Sequence, residues 1–112
     1  MRSSRRPKKP AAERAAFTLR SGRELASAAR WIATDNPSAA RALRDAVYDA
    51  AERLARHPEL GRVRPDVAKA PYRILVLTGF PYLIVYDPTP TPPRIVRIVH
   101  GARDLPDVLE DL

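Results

Sequence analysis

"PYRILVLTGFPYLIVYDPTPTPPRIVRIVH", residues 71 to 100, decides the fold. Three runs within it, "PYRILVLT", "YLIVYD" and "RIVRIVH", are rich in Val, Ile, Leu and Tyr. Such side chains suit a pleated, packed surface. "GFP" supplies the first turn, and the proline-rich "PTPTPP" (88 to 93) stiffens the second. The stretch reads as a three-stranded antiparallel meander. Its last strand breaks at once into His100, Gly101, Arg103 and Asp104, the most polar cluster of the C-terminal half. That strand either makes an ordinary exit to a loop or delivers side chains to a working surface.

Upstream, "HPELGRVRPDVAKA" (57 to 70) reads as a polar connection, with Gly61 and Pro65 as breakers. Before it the period changes to that of helices. Asn36 and Pro37 form a helix start, the first as N-cap and the second preset for the first helical position. Ala40, Leu43, Val47, Ala50 and Leu54 then make an apolar stripe, and Pro58 ends the helix. Asp45, Asp49 and Arg53, with Glu52 and Arg56, suit a solvated face. An earlier helix carries Leu25, Ala28, Ala29 and Ile32 on one face. Trp31 is expected to be the large packing residue of this hairpin. "AAFTLR" (15 to 20) reads as a short strand, and "RDLPDVLEDL" as the place for a short terminal helix. The fold class is α+β: an N-terminal strand, a helical hairpin, then the three-stranded antiparallel meander, with the hairpin on one sheet face.

Both faces of the meander are apolar. Ile74, Val76, Tyr82, Ile84 and Tyr86 share one numbering parity, and Leu75, Leu77, Leu83 and Val85 the other. A half-solvated antiparallel sheet would alternate apolar with polar. Two helices cover one face, so the other is expected to be an exposed apolar patch and a partner site, unless the terminal helix and the 57 to 70 connection cover it.

The chain has 112 residues, enough for one domain and one core, with roughly two thirds of the unfolded surface removable from water. Residues 1 to 14 lack apolar periodicity and read as a disordered basic arm, leaving 15 to 112 as the domain. The formal charge is +7, of which Arg2, Arg5, Arg6, Lys8 and Lys9 supply five positive charges. The remainder is nearly balanced. The arm is either an attractor for nucleic acid or a solvated tail. Cysteine is absent, which excludes disulfides and thiolate chemistry. No apolar run has bilayer length and no signal-peptide pattern is present, so a cytoplasmic setting is expected.

No metal or other cofactor is expected. His57 and His100 are the only histidines and neither sits in a ligand motif; no glycine-rich phosphate loop occurs. His57 reads as a helix-end cation. His100 could act as a general acid or base, or hydrogen-bond structurally. Arg103 could clamp a phosphate or carboxylate, or pair with Asp104 or Asp107. Arg73 and Arg97 could bind acidic groups on the uncovered face, or be plain surface charges. Tyr72, Tyr82 and Tyr86 read as core aromatics.

"NPSAARALRDAVYDAAERLARHPELGR", then "PYLIVYD", then "RIVRIVHGARD", in that order and spacing, resemble the ParE branch of the RelE/ParE toxins of bacterial type II toxin–antitoxin systems, over about residues 16 to 109. The resemblance implies the strand, hairpin and meander already inferred. It also implies a cognate antitoxin that wraps an extended segment over the toxin, in a heterotetramer or larger hetero-oligomer. Operator DNA would be reached only through that antitoxin. Relatives of the RelE type cut mRNA in the ribosome. Where they carry an Arg between the aromatics of the middle strand, this chain has Leu83. Their lysine on the preceding strand falls near Ile74 and Val76, and their terminal-helix Tyr near Val108 and Leu109. Arg103 alone is retained. Leucine neither donates to a phosphate nor moves a proton, so the expectation is binding, with DNA gyrase as the target the family implies. Target contact is expected from His100, Arg103, Val108 and Leu109. Antitoxin contact is expected from Arg73, Leu75, Leu77, Leu83, Val85 and Arg97. The alternatives are a ribosome-dependent ribonuclease using Arg73, Arg97, His100 and Arg103, and a non-toxic antitoxin-binding module.

Overall fold

The computed structural model of the protein describes residues 14 to 112; the arm expected over 1 to 14 lies, but for Arg14, outside the described residues. In chain order the elements are β1 (Ala16–Phe17), α1 (Leu19–Ala33), α2 (Pro37–Arg56), β2 (Arg62–Val63), β3 (Arg73–Val76), β4 (Tyr82–Asp87), β5 (Arg94–His100) and α3 (Leu105–Val108). The strand expected over 15 to 20 shrinks to two residues because Thr18 caps a helix instead. Its hydroxyl accepts from the Ser21 amide at 3.1 Å, and α1 begins at Leu19. Asn36 caps α2 in the same way, accepting from the Ala39 amide, with Pro37 first in the helix. The stripe of α2 is buried throughout.

The five strands lie in the order β1–β5–β4–β3–β2. The meander β3–β4–β5 is antiparallel, as its spacing predicts. Two departures bracket it. β1 joins the far edge parallel to β5, and β2, inside the segment read as a polar connection, pairs antiparallel with β3. Two-residue strands carry no readable alternation. Gly61 enters β2 beside Tyr86, where a Cβ would lie 2.7 Å from the ring and 2.9 Å from the Ile74 carbonyl oxygen, so no other residue fits without a shift. There the Tyr86 hydroxyl donates to the Pro58 carbonyl at 2.6 Å and accepts from the Gly61 amide at 2.7 Å. At the first turn Gly79 takes φ +87°, the left-handed conformation that favours glycine.

Parity does not sort the sheet faces, and the reason is register. Ile74 pairs with Val85 and Val76 with Leu83, so even positions of β3 share a face with odd positions of β4. A bulge between Val85 and Tyr86 then inserts Val96 into β5: Val85 faces Arg97 while Tyr86 faces Ile95. The hairpin face therefore gathers Leu77, Ile84, Tyr86, Ile95 and Ile98 under Leu25, Leu43, Val47, Ala50, Ala51 and Leu54, with Leu75 at its margin. The opposite face gathers Ile74, Leu83, Val85 and Val99.

That opposite face is not exposed. Val67 and Ala68 from the 64 to 70 segment and Leu109 from the C-terminal segment are buried on it, with Leu105, Val108 and Leu112 packed alongside. These two short cover pieces, the alternative that the sequence leaves open, complete a second core. Trp31, expected inside the hairpin, is 78% exposed. It follows Arg30 on the outer side of α1, whereas Leu25 and Ala29 take the buried positions.

Candidate functional site: a cleft beside the last strand

β5 is paired with β1 only at Arg94 and Ile95. Past that point α1 side chains supply what a neighbouring strand would. The Ser21 hydroxyl donates to the Ile95 carbonyl at 2.8 Å, and the Glu24 carboxylate accepts from the Ile98 amide at 2.8 Å. Backbone groups at a sheet edge need partners when water is excluded, and these two residues satisfy them.

Glu24 also holds Arg97. The guanidinium donates to both carboxylate oxygens, with the closest approach at 2.9 Å, donates to the Val108 carbonyl at 2.6 Å, and stands 3.7 Å from Asp111. Arg97 is 5% exposed. It is thus a buried tie between α1, β5 and the C-terminal segment, not a surface cation. Asp111 in turn accepts from Arg20 of α1 at 2.5 Å. That hydrogen bond to the Arg20 guanidinium holds the Asp111 carboxyl below the usual carboxylate range.

Arg73 is committed as well, donating to the Gly61 carbonyl at 2.8 Å and the Glu59 carbonyl at 3.3 Å. It pairs across β4 with Tyr86, at the end of the meander opposite Tyr82 and His100. The four residues of the ribonuclease alternative therefore do not converge. Among the six expected antitoxin contacts, Leu77, Leu83, Val85 and Arg97 are buried, and Leu75 and Arg73 are partly buried. Leu75 and Leu77 lie on the hairpin side and Leu83 and Val85 on the other, so they share no face. Leu109, an expected target contact, is a fully buried plug of the second core.

His100 and Arg103 do come together. They line a cleft of about 350 Å³ between α1 and the exit of β5, with Glu24, Ser27, Trp31 and Tyr82 among its other walls. His100 stacks edge-on against Tyr82 with centroids 5.3 Å apart. Its Nδ1 accepts from the Ala102 amide at 3.1 Å. An Nδ1 that accepts carries no proton in the neutral ring, which leaves Nε2 as the donor. The Gly101 amide donates to the Pro81 carbonyl at 2.8 Å and the Arg103 amide to the His100 carbonyl at 3.1 Å, so the loop is fixed at both ends. The Arg103 side chain is exposed and, among the described residues, has no carboxylate within 4.0 Å; neither Asp104 nor Asp107 takes it. A free guanidinium, an imidazole and an exposed indole in one concave place suit recognition of an acidic or aromatic-bearing surface.

Two residues of this site, Glu24 and Trp31, do not stand out as functional in the sequence. Glu24 is the lone acid of α1 and directly precedes Leu25 of the apolar stripe. That placement is a readable sign of a buried partner.

The model of a protein family described as "ParE toxin of type II toxin-antitoxin system, parDE" matches residues 16 to 105. The chain belongs to the ParE toxin family. Among solved structures, the chromosomal ParDE TA system from P. aeruginosa is similar, with a TM-score of 0.62 and 20% identity, covering 79% of this chain and 97% of that one. At that identity the likeness concerns the fold. A comparison with curated proteins finds no match. As a ParE-family chain, the protein is of the toxin kind of a type II toxin–antitoxin system, and no described helix is long and apolar enough to cross a membrane.

Proposed function

We propose that this ParE-family toxin acts by binding DNA gyrase, with the cleft of His100, Arg103 and Trp31 as the contact surface, and that a cognate antitoxin neutralises it. The observation that carries the choice of binding over hydrolysis is the commitment of the side chains a phosphodiester cleavage would use. Arg73 and Arg97 are tied to carbonyls and a carboxylate within the fold. Leu83 is buried in the second core. General acid–base cleavage needs a proton acceptor, a proton donor and a charge-stabilising group around one phosphate, and of the four residues expected for that alternative only His100 and Arg103 share a place here, while the Glu24 carboxylate beside them is held by Arg97.

For the antitoxin, the sheet edge at β2 and β3 offers a surface. β2 pairs only with Ile74 and Arg73, and Val76 beyond it is 64% exposed, with Val63 also exposed. An extended segment adding a strand there would gain main-chain hydrogen bonds and cover both valines.

Supercoiling by purified gyrase, with linear plasmid released by detergent and protease as the second readout, tests the target. The expected result is loss of supercoiling with accumulation of linear DNA. Arg103→Ala is expected to inhibit about tenfold more weakly, which corresponds to about 1.4 kcal/mol for one charged interaction. Transcripts cut in the ribosomal frame after induction, with gyrase unaffected, would establish the ribonuclease alternative instead.

A further inference from the structure

The cleft beside β5 has a one-sided hydrogen-bonding character. Among the described residues its polar side chains are Glu24, Ser27, Trp31, Tyr82, His100 and Arg103. Glu24 is the one carboxylate, and both of its oxygens are occupied. Oε1 accepts from the Ile98 amide at 2.8 Å and from Arg97 Nε at 3.2 Å. Oε2 accepts from the same Nε at 3.0 Å and lies 2.9 Å from Arg97 Nη2. The Arg97 guanidinium cancels its charge. The remaining groups mostly donate. Guanidinium and indole nitrogens are donors only. His100, with Nδ1 accepting from the Ala102 amide, offers an Nε2–H. The hydroxyls of Ser27 and Tyr82 can turn either way. Arg103 thus carries the one permanent charge left uncompensated by another lining side chain. Next to it the Trp31 indole is 78% exposed. Trp and Arg are the side chains that most often anchor a protein interface. Asp104 and Asp107 follow on the exit segment. Both are exposed, and among the described residues neither has a cation within 4.0 Å. Across the cleft, Arg23 and Arg30 are exposed on α1, about one turn either side of Ser27. A run of phosphates would have to pass the two aspartates. A single carboxylate reaching in from an apolar support would not.

We propose that the cleft takes one carboxylate side chain of a protein partner, an Asp or Glu with a large apolar residue beside it. The carboxylate sits on the Arg103 guanidinium, whose fork matches its two oxygens. The His100 Nε2–H is a further donor to it. The neighbouring apolar side chain packs on the Trp31 ring. This inference rests on the reading of the cleft as the toxin's contact with gyrase, and it names the chemistry of the group gripped there. Once a partner covers the cleft, donors left without an acceptor are costly. A hydrocarbon in place of the acid is therefore rejected, and an amide brings one acceptor oxygen where the acid brings two and a charge.

The test uses the full chain, labelled with nitrogen-15, and no gyrase. The Arg103 Nε–H and Trp31 Nε1–H signals are followed by NMR as acetyl-Leu-Glu-Leu-amide is added. Trp31 is the only tryptophan, so its fluorescence reports the same occupancy. Both signals are expected to shift saturably with a Kd of about 1 to 10 mM, the strength of one charged fork and one packed side chain. Acetyl-Leu-Gln-Leu-amide is expected to bind at least about tenfold more weakly. Acetyl-Ala-Glu-Ala-amide should bind about threefold more weakly or worse, having less apolar surface to place on the indole. Arg103→Gln is expected to erase the preference for Glu over Gln, and Arg103→Lys to keep part of it, since charge remains without the fork. The Arg103 side chain is exposed, and unchanged signals elsewhere show that either variant is folded. Absence of a saturable shift with the Glu peptide would overturn the proposal, as would equal binding of the Gln peptide. Tighter binding of inorganic phosphate or adenosine monophosphate than of the Glu peptide would overturn it too. So would shifts of the same two signals with protein concentration alone, which would seat a second copy in the cleft. Inhibition of supercoiling without a Glu preference would keep gyrase as the target and remove this inference. A Glu preference without inhibition would keep the carboxylate and remove gyrase as its owner.

Discussion

The two faces of one sheet are roofed in different ways. Over the hairpin face lie α1 and α2, long helices with capped starts and an uninterrupted apolar stripe. Over the other lie a four-residue helix, the irregular 64 to 70 segment, and a tail pinned by Arg97, Glu24, Asp111 and Arg20. Both bury their strands, yet the second roof has only a short helical turn and a few loop bonds of backbone hydrogen bonding of its own, against two full helices in the first. Local opening follows sparse packing and exposed backbone hydrogen bonds, so the second roof is the one expected to lift.

The strongest way to sharpen that contrast is truncation of one leucine on each side. Leu54→Ala beneath the hairpin should cost about 3 to 5 kcal/mol, because the flanking helices cannot collapse onto the void. Leu109→Ala should cost about 2 to 3 kcal/mol, because a chain end relaxes more freely. Urea unfolding measures both, and equal costs would break the distinction. Hydrogen exchange should speed up globally in the first variant and mainly over residues 64 to 70 and 105 to 112 in the second.

A smaller effect is expected from the pin. Glu24→Ala removes the partner of a buried guanidinium and the acceptor of the Ile98 amide. Breaking a buried pair costs about 3 to 5 kcal/mol when nothing replaces it. Here Glu24 is partly exposed and the Val108 carbonyl and Asp111 still hold Arg97, so about 2 kcal/mol is the expected loss. Thermal melts should show it, with the C-terminal segment opening first.

The smallest effects come with pH, and they fall on opposite sides. The Asp111 carboxyl, lowered by its hydrogen bond from Arg20, contributes stability above the ordinary aspartate value of 3.8 that is lost as pH falls through the folded value. The Tyr86 hydroxyl is raised, first by burial, so its contribution holds below the ordinary tyrosine value of 10.0 and is lost as pH rises through the folded value. Acid should therefore loosen the tail and alkali the Gly61–Tyr86 junction. Amide exchange at the two places checks this, and 1 M salt should erase most of the acid effect, since Arg20 and Asp111 are exposed.

The helices and the last two strands were legible because their signals are local. Asn36–Pro37 marks a start whatever surrounds it, and "YLIVYD" and "RIVRIVH" coincide with β4 and β5. What escaped depends on pairings between distant residues. The sharing of a face by Ile74 and Val85 is set by register, and β2 exists only because β3 accepts it. Trp31 escaped for another reason: large aromatics are buried on average, and composition gives no hint when one stands out in solvent. At the candidate site, His100 and Arg103 were readable from the polar break after an apolar strand. Glu24 carries a local sign of burial beside Leu25, but the identity of its partner, 73 positions away, is not local.

One inserted residue governs the whole arrangement. Because Val96 is extra, β5 presents Ile95 and Ile98 to the same side although they are three positions apart. Plain alternation from Ile95 onward would aim Arg97 into the oily interior beneath the hairpin and turn His100 away from Tyr82. Excising Val96 would do the reverse: it would straighten the weave and leave every later side chain on its present side. The valine is a half-period phase correction, and it lets one strand serve first as core and then as the wall of a recognition surface.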